Sequence, residues 1–127
     1  MSSLVDREET PRTNMGEPKT LVQGTLDMLV LKTLALEPMH GWGIAQRIEQ
    51  ISGGVFQINA GSLFPAFRRL ERDGLVRAEW RATENNRRAK YYTLTETGRR
   101  QLRAETRDWE SQAAAITRIL RTSPGEI

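Results

Sequence analysis

Cysteine is absent from the sequence and histidine occurs once, at His40. The first absence excludes disulfides, thiolate metal sites and cysteine nucleophiles, and the second removes most histidine-based metal and acid–base schemes. No run of about 18 or more apolar residues is present, and no basic-then-apolar segment opens the chain, so neither membrane spanning nor secretion is indicated and a cytoplasmic location is expected. Glycine-rich phosphate loops are missing too: Gly41-Trp42-Gly43 lacks a third glycine and follows no segment with a strand's alternation. No metal, cofactor or membrane partner is expected, and an enzyme is not expected either. His40, standing before a glycine, reads as a turn or capping residue.

What is present is charge, unevenly placed. The formal net charge of the 127-residue chain is only +3, but residues 60–100 hold ten basic side chains against five acidic ones. Such a segment is either a solvated face or the footprint of a polyanion, and its place on the fold decides between them.

Residues 1–19 mix Ser, Thr, Pro, Gly and charges without an apolar period and are expected to form a flexible arm. From Leu21 to Pro38 apolar residues crowd more densely than one stripe requires (Leu26, Met28, Leu29, Val30, Leu31, Leu34, Leu36), which predicts a helix buried on two sides. Residues 39–43 read as a connector, and Ile44, Ile48 and Ile51 as a short amphipathic helix stopped by Gly53-Gly54. After an extended link at residues 55–58, a third helix is expected from Gly61 or Ser62 to Asp73, with Leu63, Phe67 and Leu70 on one face and Pro65 in its first turn. Residues 75–82 and 90–95 alternate as two antiparallel strands joined by the polar, basic link Thr83-Glu84-Asn85-Asn86-Arg87-Arg88. Three helices and a basic hairpin make an α+β winged helix-turn-helix.

A long helix from Glu96 to about Arg121 follows. Its Leu102, Thr106, Trp109, Ala113, Ile116 and Leu120 recur at alternating spacings of four and three, a coiled-coil-like seam that either packs back on its own domain or joins two copies. Dimerisation is the preferred reading, because the helix outruns a core of this size. The expected division is a winged helix at 20–95, a dimerisation helix at 96–122 and a tail at 123–127.

In a helix-turn-helix the start of the recognition helix meets base edges in the major groove. That places Asn59, Gly61, Ser62, Phe64, Arg68 and Arg69 as DNA-binding candidates: small residues for close backbone approach, Asn59 and Ser62 as caps or hydrogen-bonding contacts, and guanidinium groups for phosphate or guanine. At the hairpin tip Asn85, Asn86, Arg87, Arg88 and Lys90 supply more donors than a turn needs, which points to phosphate or minor-groove contact. Trp80 is expected to pack under the hairpin. Trp109 lies on the seam, where two chains could place it against each other or against a flat ligand.

Several segments together resemble the PadR transcriptional regulators over about Leu21 to Leu120: Met39-His40-Gly41-Trp42-Gly43-Ile44, Gly61-Ser62-Leu63-Phe64-Pro65-Ala66-Phe67-Arg68-Arg69-Leu70-Glu71, Asp73-Gly74-Leu75-Val76, and the run from Arg88 to Gly98. The single helix after Gly98 is similar to the compact branch of that family. The resemblance implies a homodimer joined through its last and first helices, repression through inverted-repeat operators in double-stranded DNA, and, in some relatives, release by phenolic acids or flat hydrophobic drugs. A flat aromatic small-molecule inducer is therefore a candidate partner. The sequence departs from the family where Phe64 and Trp42 replace common tyrosines, and its hairpin lacks a frequent glycine. The expected function is a DNA-binding regulator, with a dimeric winged-helix protein-interaction module as the alternative.

Overall fold

The computed structural model describes residues 23–126, so the arm expected at 1–19 lies outside the described residues. The elements run α1 (Gln23–Leu36), β1 (Met39–His40), α2 (Gly41–Ile51), α3 (Ala60–Arg72), β2 (Val76–Ala82), β3 (Arg88–Leu94) and α4 (Glu96–Leu120). The crowded apolar sequence of α1 has its reason in its position, since it touches α2, α3, β3 and α4. Leu26, Val30, Leu31 and Leu34 are buried, and Met28 and Leu29 pack partly against the same core. Each such side chain removed from water stabilises the fold by about 1.5–3 kcal/mol. The one buried polar residue named with them, Thr33, donates its hydroxyl to the Leu29 carbonyl at 2.8 Å, so no hydrogen-bonding capacity is stranded there.

Ile44, Ala45 and Ile48 from α2 and Leu63, Ala66, Phe67 and Leu70 from α3 close the core over α1. Ile51, expected on the same face as Ile44 and Ile48, is exposed instead. The helix stops at Ser52, and Gly53 and Gly54 take positive φ as expected of glycines that end a helix. α3 begins at Ala60, earlier than expected, because Asn59 caps it; Pro65 therefore falls at the sixth helical position, past the first turn.

The expected connector at residues 39–43 is corrected in part. Met39 and His40 form β1, paired antiparallel with Tyr92 and Tyr91 of β3, so the sheet has three strands in the order β1-β3-β2. The hairpin itself pairs Val76 with Leu94 through to Ala82 with Arg88. At its tip the Asn86 N–H donates to the Thr83 carbonyl at 3.0 Å, and Asn86 takes φ 59°. That left-handed residue after a tight turn is the three-residue hairpin geometry, with asparagine standing where glycine is commoner.

α4 is anchored at its start. Thr95 caps it by accepting the Gly98 N–H at 3.0 Å, donates its hydroxyl to the Gly74 carbonyl at 2.7 Å, and gives its own N–H to the Leu75 carbonyl at 3.1 Å. Of the predicted seam, Leu102 is buried in the core, Thr106 and Ala113 are half-buried, and Trp109, Ile116 and Leu120 are exposed. The helix therefore packs on its own domain through its first half and projects beyond it through its second.

Candidate nucleic-acid interface

Of the residues named from the sequence, Phe64 and Arg68 of the recognition helix and Lys90 of the hairpin share one groove. Phe64 and Arg68 of α3, Trp42 of α2, and Trp80, Ala89 and Lys90 of the hairpin line one open groove of about 500 Å³, with Glu71 on its wall. Helix α3 supplies this face because its other side is committed to the core. Leu63, Ala66, Phe67 and Leu70 point inward at helical spacing, which leaves Gly61, Phe64 and Arg68 outward.

At the start of α3, the Asn59 side chain accepts the Ser62 N–H at 2.9 Å, and its backbone carbonyl also accepts from Leu63 at 3.0 Å. Of the two roles considered for Asn59, the geometry displays the cap. The cap takes up the Ser62 N–H, one of the donors that open the helix, so that group is not free for an incoming anion. Gly61 is exposed, Ser62 half-buried and Phe64 47% exposed.

The two adjacent arginines have separated. Arg68 is exposed and forms no ion pair among the described residues. Arg69 turns the other way and grips Asp27 of α1 with two bonds, Nη2 to Oδ1 at 2.8 Å and Nε to Oδ2 at 3.3 Å. Both partners are less than a quarter exposed, a bidentate pair that braces α3 on α1.

On the hairpin, Asn85, Asn86, Arg87 and Arg88 are exposed. Arg88 lies over the Trp80 ring at 5.6 Å, a contact that holds the cation in place without neutralising it, and Arg81 lies over Tyr91 at 5.0 Å while pairing with Glu79 at 2.7 Å. Lys90 is half-buried, 3.4 Å from the Glu71 carboxylate and 5.8 Å from the Tyr92 ring centre. Trp80 was expected beneath the hairpin; it is 57% exposed, since its position near the open end of β2 extends past the helices that cover Val76. Burial raises the Tyr92 hydroxyl above its ordinary range, and the nearby Glu71 carboxylate adds to the shift while Arg68 opposes it.

Trp42, Trp80 and Glu71 belong to this face although none was named as a site residue. Trp42 stands two residues after His40, which caps α2 by accepting the Gly43 N–H on its Nδ1 at 3.0 Å. Away from this face, Trp109 is 51% exposed and borders a second groove of about 540 Å³ between α1 and α4, lined by Met28, Leu29, Lys32 and Leu102. Among the described residues no group of three or more His, Asp or Glu side chains is placed to hold a metal, and no helix is long and apolar enough to cross a membrane.

Solved structures share this architecture. A PadR family transcriptional regulator from Eggerthella lenta is 34% identical, with 80% of this chain and 86% of that chain covered and a TM-score of 0.69. A protein from Streptococcus mutans aligns at 25% identity over 86% of this chain and 95% of its own, TM-score 0.73. A transcriptional regulator from Clostridium thermocellum, at 24% identity, 78% and 96% coverage and TM-score 0.71, shares the fold. The model of the transcriptional regulator PadR-like family matches residues 30–104, more than half of the chain. With its winged helix, its basic hairpin and this match in hand, the chain belongs to the PadR-like family of DNA-binding transcriptional regulators.

Proposed function

We propose that the protein is a homodimeric repressor of the cytoplasm that binds a pseudo-palindromic operator, with α3 in the major groove and the hairpin on the phosphate backbone. The observation that carries this reading is the groove that Phe64 and Arg68 of α3 share with Lys90 of the hairpin, with Arg88 over the Trp80 ring on its wall. Arg68, Arg87 and Arg88 are each exposed and without an ion pair among the described residues. Phosphate contacts supply most of such binding and make it salt-dependent. In this reading residues 20–95 hold DNA, 96–122 join the two copies, and Arg69 acts by holding α3 at the angle its Asp27 pair sets. Support for the dimer comes from the bare apolar side of α4, where Trp109, Ile116, Ile119 and Leu120 are each at least half exposed. Such a row on one helix calls for a covering surface, and a second copy supplies a matching one. The groove beside Trp109 is the place we assign to a flat aromatic inducer.

Fluorescence anisotropy with DNA from upstream of the protein's own gene, against scrambled DNA, tests the reading. With about 6–10 phosphate contacts, affinity for the native fragment should drop about 10³–10⁵-fold between about 50 and 200 mM salt. Arg87→Ala/Arg88→Ala should bind weakly while keeping its fold and its dimer. Indifference of DNA binding to that double change would favour a protein-interaction module.

A further inference from the structure

Three large aromatic side chains stand half exposed around the groove between α3 and the hairpin: Trp42 at 56%, Phe64 at 47% and Trp80 at 57%. Both tryptophans carry an indole N–H and can donate to a phosphate. Phe64 has no polar atom, yet it occupies the outward row of α3, three residues after Gly61 and four before Arg68. Its ring meets Phe67 edge-on at 6.1 Å, a contact that fixes the near side and leaves the far edge bare.

A single exposed phenyl on a protein surface needs no explanation, but one in the middle of a recognition face must meet whatever the major groove presents. Guanine shows only acceptors there, adenine an acceptor and an amino donor, and cytosine an amino donor; a phenyl edge leaves each of these unpaired and stripped of water. Thymine alone offers an apolar group, its C5-methyl. Arg68 lies one helical turn beyond, about 6 Å along the axis, a little under two base-pair steps of about 3.4 Å. Being unpaired among the described residues, its guanidinium is available for the two acceptors of guanine.

We propose that Phe64 selects thymine through its C5-methyl group and that Arg68 selects a guanine about two base pairs away. This assignment rests on the operator-binding reading above. Each half-site then holds a thymine whose methyl is buried against Phe64. Removing one such methyl should weaken binding about fourfold, and removing the symmetric pair about fifteenfold.

The test begins with selection of duplexes by the full-length chain from a random double-stranded pool. A pool with no enriched sequence overturns the operator reading and this proposal together. With an enriched duplex, each thymine pair is replaced in turn by uracil, which deletes only the methyl, and affinity is read by anisotropy. One symmetric pair should show the loss, with a guanine about two steps away. Phe64→Ala should bind the thymine and uracil duplexes equally, keep the wild-type salt slope, and keep the wild-type circular dichroism. Phe64→Tyr, which retains the ring, should still discriminate. A duplex in which no thymine methyl matters, or a methyl effect that survives Phe64→Ala, overturns the assignment and leaves the operator reading standing.

Discussion

Two neighbouring arginines on α3 have opposite fates, and the difference is measurable. Arg69 is locked to Asp27 by a two-pronged ion pair in which both partners are mostly shielded from solvent, whereas Arg68 is exposed. Arg69→Ala leaves a shielded carboxylate without its partner, so urea unfolding should show a loss of about 1–3 kcal/mol. Arg68→Ala should change stability by less than about 0.5 kcal/mol while lowering DNA affinity. A double-mutant cycle on Asp27 and Arg69 separates the pair from either residue alone. Tyr92 gives a second residue-level outcome. Its hydroxyl is held protonated above the ordinary value of 10.0 by burial first and by the Glu71 carboxylate second. A folded-state value above the unfolded one means that the stabilisation is whole below pH 10.0 and is lost as pH rises through the folded value. Tyr92→Phe should therefore show a shallower loss of stability in alkaline titration than the wild type.

At the scale of elements, the joint between α3, β2 and α4 is closely packed at Gly98. A Cβ on Gly98 would run into the Leu75 carbonyl oxygen and lie 2.6 Å from Leu94 Cδ1. Because the first obstacle is backbone, Gly98→Ala should cost about 3 kcal/mol in urea unfolding. The hairpin tip is more forgiving. Asn86→Gly should be neutral or slightly stabilising, since glycine reaches the same left-handed conformation freely. Asn86→Val should cost about 1–2 kcal/mol, read from the thermal midpoint. The same comparison shows what was legible in the sequence. α2 to α4 and the hairpin announce themselves through periods of 3.6 and 2, and α1 through a run of apolar residues too dense for one stripe. β1 does not, because two residues have no period and Met39 and His40 become a strand only through Tyr92 and Tyr91. For the same reason Arg69 could not be told from Arg68: its partner Asp27 lies 42 residues away. Trp80 misled because alternation tells which face of a strand a residue takes, while burial also depends on how far the covering helices reach.

For the whole molecule, the two ends of α4 divide the labour. Leu102 is buried in the core of its own domain, and Trp109, Ile116 and Leu120 beyond it are uncovered. In the proposed dimer, Trp109→Ala should weaken self-association, since truncating a buried tryptophan costs about 3–5 kcal/mol. Sedimentation should show monomer at micromolar protein, with the circular dichroism of the wild type. Ile44→Ala, by contrast, should lower the stability of the domain itself, because that side chain is fully enclosed.

The three hydrogen bonds of Thr95 and the closeness of Gly98 to Leu75 leave α4 no slack against the hairpin and α3. In the proposed dimer the two recognition helices are therefore held like the jaws of a fixed caliper. A caliper reads angle as well as distance. Lengthening the operator centre by about five base pairs moves one half-site to the opposite side of the duplex, a phase error that a stiff joint cannot absorb, whereas adding a full turn restores the phase but stretches the span.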